Sequence, residues 1–436
     1  MAKRLTATLA ASGAVPLLLG LAVQALTTYL FLVIAGRELG AVGFAALSGL
    51  YLLLTSTATG LMAPLEQEVT RRRARQRAAG TWDDSLFRRA VAHGLLAAAL
   101  ASGCLLAAWP ATLRILGDER TLLVSLLVAL PGYACWFATR GELAGTRRLA
   151  RYGVQLAVDG LLRLAVALVL VSLSSASTAA YGAAFALSPW LTLALTWTPH
   201  HTPPGAVVER GTQFGSRFAL LVLSALAAQL LINAGPLVVN LLAEPAERAA
   251  AGLYLAALVV IRVPVFLFTA VQPSFLRALA EHVGRGERSG FSLLLGRILT
   301  ALVVVTAVAG VGAALLAPAT ISWLFDFDAR LGRVTCLLLT VAIGLFLVAT
   351  VLAQGLLALG HHHLVTAGWL VGLVGLAAGT VWPGSAVDRA TNGLLVGALL
   401  ATVSLAVLLR REVGRWANPV GDDLPGLAAT APTGTI

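Results

Sequence analysis

Charge is what this sequence has least of for its length. Asp, Glu, Lys and Arg make up 12% of the 436 residues and hydrophobic residues 58%, with a mean hydropathy of +0.87. Soluble domains carry about 25% charged residues, so a water-soluble enzyme is excluded and the surrounding solvent is lipid. Cysteine is scarce too. Cys104, Cys135 and Cys336 lie in or beside apolar runs without disulfide or metal-ligand spacing, and read as small apolar fillers. No Walker-type Gly-rich loop occurs, so direct ATP coupling by this chain is not expected. No cleavable signal peptide stands out: the first apolar run continues to Ala35 and reads as a retained anchor. His361, His362 and His363 are consecutive in a tight turn and cannot easily converge on one ion, so neither a metal nor a cofactor is expected.

What the sequence has is long apolar runs. They span Ser12 to Ala35, Phe44 to Leu65, Ala90 to Leu113, Thr121 to Glu142, Gly153 to Leu173, Ala180 to Thr198, Phe214 to Leu242, Gly252 to Phe275, Ser292 to Leu316, Val334 to Leu359, Leu364 to Trp382 and Thr391 to Arg410. Each is of the roughly 20 residues a helix needs to cross a bilayer. With Lys3 and Arg4 on the cytoplasmic side, about 22 basic residues fall inside, including Arg71, Arg72, Arg73, Arg75 and Arg77. Both termini are therefore expected in the cytoplasm of a multi-pass cell-membrane protein. The net charge of +11 is this bias together with attraction to anionic membrane lipids, and a juxtamembrane arginine cluster does not imply nucleic acid. Trp109, Trp323 and Trp382 at outer ends, and Trp136, Trp197 and Trp416 near inner ends, fit an interfacial belt.

The two halves resemble each other. Gly141 to Gly153 after the fourth span and Gly355 to Gly368 after the tenth both read as a helix end, a Gly break, a basic or imidazole-bearing turn and a Gly opening the next helix. Gln24 and Pro64 correspond similarly to Gln229 and Pro273, with a small loop insertion. Six spans per half give both halves one orientation. The expected fold is all-α: about 12 transmembrane helices in two six-helix bundles around a central cavity. Residues 1–198 form the first bundle, 199–213 a cytoplasmic linker, 214–410 the second, and 411–436 a tail expected to be disordered.

Two windows carry a family resemblance. Ala35-Gly36-Arg37-Glu38-Leu39-Gly40-Ala41-Val42-Gly43-Phe44 is similar to an A-R-x-L-G-x-x-x-Y/F-G turn, with Glu38 extra and phenylalanine for tyrosine. Ala251-Gly252-Leu253-Tyr254-Leu255-Ala256-Ala257, with Arg262, Val263, Pro264 and Pro273 following, is similar to a G-x-Y-x-x-A helix start and its prolines. On these windows the chain resembles the oligosaccharide flippase branch of the multidrug/oligosaccharidyl-lipid/polysaccharide exporter superfamily. The resemblance implies alternating access: two lobes rock about a cavity and turn a polyprenyl-pyrophosphate-linked glycan from the inner to the outer face. Glycan-assembly enzymes are possible partners.

Ionisable groups inside a bilayer cost about 2.5 to 3.5 kcal/mol each on insertion scales and are functional candidates by default. Arg262, mid-span and without an acid nearby in its helix, suits bidentate phosphate contact; it also suits backbone carbonyls freed by Pro264. Asp159 and Arg163, four apart on one helix face, form either an internal pair or a switch in which protonation of Asp159 releases Arg163 to the substrate. Gln24, Gln229, Asn233 and Asn240 offer amides to sugar hydroxyls or, equally, between helices. Pro16, Pro236 and Pro264 are candidate hinges. His93 reads as a structural histidine, and Asp326 and Asp328 as part of a solvated loop. The leading reading is a lipid-linked oligosaccharide flippase, and the alternative an ion-coupled drug exporter of the same superfamily. A membrane glycosyl polymerase or ligase, and a scaffold without transport, come behind both.

Overall fold

The computed structural model describes residues 14–197, 207–208, 216–327 and 331–417. Lys3, Arg4, most of the 199–213 linker, Asp328, Arg330 and the tail from residue 418 lie outside the described residues. The first element, α1 (Ala14–Ala79), covers two expected spans at once. Its arms, 14–39 and 41–79, meet at Gly40, where φ is 64° and ψ 177°. That region is essentially closed to any residue with a Cβ. Nothing lies within 4 Å of where a Gly40 Cβ would sit, so the demand for glycine is conformational rather than steric. Phe31 and Tyr51, on opposite sides of the bend, both pack on Phe185 with centroids 5.0 and 5.7 Å away. The second arm therefore folds back along the first.

Then follow β1 (Thr81–Trp82), α2 (Ser85–Ala107), α3 (Trp109–Ile115), α4 (Arg120–Gly145), α5 (Leu149–Ser172), α6 (Thr178–Thr196), β2 (Val207–Val208) and α7 (Ser216–Leu242). A 3-10 turn (Pro245–Glu247) leads into α8 (Arg248–Ile261), α9 (Val263–Gly284), α10 (Arg288–Phe325), α11 (Arg333–Ala358), α12 (His362–Thr380) and α13 (Ala386–Ala417). Among the described residues ten helices are long and apolar enough to cross a membrane. Counting both arms of α1, and joining α8 to α9 at Arg262, the chain makes twelve apolar passages. Several bounds differ from the hydropathy reading. The third passage breaks before α3, where Pro110 falls in the first turn. The ninth, α10, runs to Phe325 through Pro318, and α13 continues past Arg410 to Ala417.

Helices α1 to α6 pack on one another, as do α7 to α13, and α1 joins the two lobes through α7 and α8. The passages alternate between a hinge end, named for Gly40, and a basic end, named for Arg71 to Arg77. The two turns matched in the sequence, at Thr146–Arg148 and Leu359–His361, both fall at the basic end. Each carries a left-handed residue, Arg147 (φ 59°) and Gly360 (φ 85°).

Arg73 is the anchor of the basic end, only 1% exposed. Its guanidinium meets Glu142 of α4 at 2.7 Å, donates to Gln76 Oε1 at 2.9 Å and Asp83 O at 3.0 Å, and lies 3.9 Å from the Trp82 ring centroid. Just beyond, β1 and β2 pair in parallel, Thr81 with Val207 and Trp82 with Val208, fastening part of the linker region to the first lobe. At the hinge end the lobes meet across Arg37, which donates to Leu324 O (2.7 Å) and Trp323 O (2.8 Å). Arg248 pairs with Asp118 at 2.7 Å, and Phe44 packs on Phe325.

Candidate functional site

Beneath the hinge end lies a chamber of about 570 Å³. Both arms of α1, together with α4, α5 and α6, form most of its wall, and α8 of the second lobe closes one side through Leu255, Val259 and Arg262. Toward the hinge, Phe31, Phe44, Leu47 and Leu50 are completely buried and fill the space above it. The lining extends the other way, to Leu18 and Leu21, which remain 37% and 39% exposed. The chamber is thus sealed at the hinge end and reaches toward the basic end.

Tight approach of α1 to α5 builds the polar floor. A Cβ on Gly153 would overlap the Pro16 carbonyl, and one on Gly160 would overlap the Thr27 hydroxyl; small residues at such crossings let two backbones touch. This brings Gln24 Nε2 to Asp159 Oδ2 at 2.9 Å. Arg163 forms an ion pair with the same carboxylate oxygen and stands 5.4 Å from the Phe185 ring centroid. The other oxygen, Asp159 Oδ1, is buried and has no hydrogen-bond partner among the described residues.

A second cluster lies on α4. Tyr133, Trp136, Phe137 and Arg140 follow the i, i+3, i+4, i+7 spacing of one helix face, and all four line the chamber. Arg140 pairs with Glu66 at 3.1 Å and donates to the Tyr152 hydroxyl at 2.7 Å, while that hydroxyl donates to Glu66. Trp136 is 3% exposed, which corrects its assignment to the interfacial belt: its ring is chamber wall.

Arg262 differs from both other arginines. Among the described residues it meets no carboxylate. One amino group donates to Asn233 Oδ1 at 2.9 Å and the other to the Ile232 carbonyl. That carbonyl is available because its helical partner four residues on is Pro236, which has no N–H to offer. Arg262 itself is the junction at which α8 stops and α9 starts, and Pro264 in the first turn of α9 suits such a restart. Neutral dipoles hold the cation without cancelling it, and among the described residues its buried Nε has no partner.

The remaining sequence candidates lie elsewhere. Asn233 and Gln229 sit at the lobe interface rather than in the chamber lining, the Asn233 amide donating to Ser56 Oγ at 3.0 Å and to Gln229 Oε1 at 3.4 Å. Asn240 donates to the carbonyls of Ala45 and Ile115, both at 2.9 Å, and ties helices at the hinge end. Pro16 is in the first described turn of α1, and the bend in α1 is at Gly40. His361 lies 3.3 Å from Glu412, exposed His93 contacts the Arg89 carbonyl at 2.7 Å, and no metal-ligand cluster occurs among the described residues.

No protein-family model matches the sequence, and no curated protein matches it. Solved structures do. An inward-facing multidrug resistance MATE family transporter of the MOP superfamily aligns with a TM-score of 0.75 at 13% identity, over 93% of this chain and 100% of that one. An outward-facing MATE transporter of the same superfamily gives 0.65 at 14% identity, over 93% and 95%. A MOP superfamily transporter from Pyrococcus furiosus, described as having a binding pocket of reversed polarity that suggests a different function, gives 0.66 at 13% identity over 93% and 95%.

The chain shares the fold of these structures. At these identities the likeness concerns the fold alone. Two of the three are described as MATE family transporters, and none is described as an oligosaccharide flippase. Within this fold, the residues that sequence reasoning passed over are Glu66, Arg140, Tyr152 and the α4 aromatics. The four-residue stripe on α4 is readable as a helix face; its link through Arg140 to Glu66, far earlier in the chain, is not.

Proposed function

We propose that this chain is a membrane exporter that carries an amphipathic organic anion by alternating access, taking it up from the basic end, which the arginine distribution assigns to the cytoplasm. The supporting observation is Arg262. In a chamber where Asp159 answers Arg163 and Glu66 answers Arg140, it remains a cation held by neutral groups, surrounded by aromatic and aliphatic wall. A partly desolvated guanidinium of this kind favours carboxylate, sulfonate or phosphate. The volume falls in the 300–1,000 Å³ range of small-molecule pockets, which suits a compact substrate better than an oligosaccharide. Asp159 supplies the coupling: its protonation frees Arg163, and ion-coupled small-molecule export takes precedence over the flippase reading.

The second reading, a lipid-linked glycan, draws on the same cation, since a pyrophosphate is also an anion on an apolar tail. Reconstituted full-length protein in liposomes tests both. Carboxyfluorescein and rhodamine 123 share a xanthene core and differ in charge sign. Transport of carboxyfluorescein with little rhodamine 123 is expected; the opposite preference overturns the anion assignment. Binding of farnesyl diphosphate to the purified protein far tighter than that of farnesol, with no dye transported, favours the lipid-pyrophosphate reading instead.

A further inference from the structure

Arg262 belongs to the second lobe, yet the chain of contacts that orients it ends in the first. Asn233 Oδ1 accepts from Arg262 at 2.9 Å. The amide nitrogen of the same side chain donates to Ser56 Oγ at 3.0 Å, and Ser56 Oγ in turn reaches the Gln229 carbonyl at 3.4 Å. Asn233 is 2% exposed and Ser56 fully buried, so water does not compete for these positions. A primary amide has one face of acceptors and one of donors. With its nitrogen turned to Ser56 across the lobe interface, its oxygen is turned to the guanidinium.

We propose that Asn233 is a positioning residue: it aims the Arg262 guanidinium in the chamber, and Ser56 of the opposite lobe fixes the amide that does so. Ser56 lies on the second arm of α1 and Asn233 on α7, the elements through which the lobes join. Rocking that separates them at this depth removes the amide's anchor, lets the side chain turn, and changes how firmly the cation is held. Binding at Arg262 and lobe packing at Ser56 are then two ends of one equilibrium, and any ligand that prefers one orientation of the guanidinium biases the lobes. The inference rests on the proposed role of Arg262 as the anion contact, but the geometry of the relay is independent of which anion is carried.

The test reads Arg262 directly. Full-length protein in liposomes is treated with phenylglyoxal, which modifies accessible guanidinium groups, and the rates at Arg262, Arg163 and Arg140 are followed by peptide mass spectrometry in wild type, Asn233→Ala, Ser56→Ala and the double variant. A several-fold rise at Arg262 is expected in Asn233→Ala, with a smaller rise in Ser56→Ala. The double variant should match Asn233→Ala, because the two residues act in series, while Arg163 and Arg140 stay unchanged as controls in the same chamber. A wild-type rate at Arg262 in Ser56→Ala, additive effects in the double variant, or a rise at all three arginines would overturn the relay. Should Asn233→Ala fail to fold, Ser56→Ala alone decides. Carboxyfluorescein transport is measured alongside: a relay predicts a raised KM with kcat retained. If wild type transports no dye, the anion reading fails while the labelling result still stands.

Discussion

Replacing Arg73 by alanine should be among the most damaging single changes outside the chamber. The side chain is 1% exposed and its partner Glu142 5% exposed, with 2.7 Å between them. Removing the arginine leaves a buried carboxylate without its counter-charge, which costs about 3–5 kcal/mol. The stacking on Trp82 at 3.9 Å and the bonds to Gln76 and the Asp83 carbonyl are lost in the same step. At 1.4 kcal/mol per factor of ten, the folded-to-unfolded ratio falls roughly a hundred- to several-thousand-fold. The assay is the midpoint of denaturant-induced unfolding of the purified protein in detergent micelles. Arg73→Lys keeps the charge but not the planar fork and should fall between. Arg73→Ala with Glu142→Ala should be less destabilised than Arg73→Ala alone, since no orphaned charge remains. A single variant as stable as wild type, or a double variant whose loss is the sum of the two singles, would refute the reasoning.

Gly40→Ala forces a Cβ into a backbone region reserved for glycine and should cost about 1–3 kcal/mol, read from the same unfolding midpoint. Asp159→Asn keeps an oxygen for Gln24 but leaves Arg163 unanswered. Carboxyfluorescein should bind more tightly, with a lower KM, while accumulation driven by an imposed pH gradient disappears; retained pH-driven accumulation removes Asp159 from the coupling. Burial opposes ionisation of Asp83, but bonds from the Ser85 hydroxyl and amide and the charges of Arg89 and Arg73 outweigh it, holding the carboxyl below its usual range. Its stabilisation is therefore complete above the unfolded value of about 3.9 and lost as pH falls through the lower folded value. Asp83→Asn should show a stability deficit at pH 7 that closes in acid.

Hydropathy alone located the twelve passages, because burial in lipid demands apolar length whatever the tertiary contacts. It missed where helices break or join, since those points depend on single residues: Gly40 turns two spans into one bent element, and Arg262 with Pro264 splits one span into α8 and α9. In the site, Asp159 and Arg163 were legible as a pair because four residues on a helix share a face. The reach of Gln24 to Asp159 was not, because it depends on how closely α1 packs against Gly153 and Gly160. Pro236 was read as a hinge candidate; its structural effect is local, freeing the Ile232 carbonyl that holds Arg262. Asn233 reads from the sequence equally as a sugar contact or a tie between helices; that its amide bonds Ser56 on one side and Arg262 on the other is visible only at the lobe interface.

The central claim is that Arg262, which meets no carboxylate among the described residues, recruits the substrate. Its most direct measurement is carboxyfluorescein transport by Arg262→Ala in liposomes, with insertion verified and Arg262→Lys alongside. Loss of charge-assisted hydrogen bonds worth about 1.5–3 kcal/mol predicts a KM raised roughly ten- to a hundredfold, with partial recovery in the lysine variant. An unchanged KM in Arg262→Ala would contradict the account.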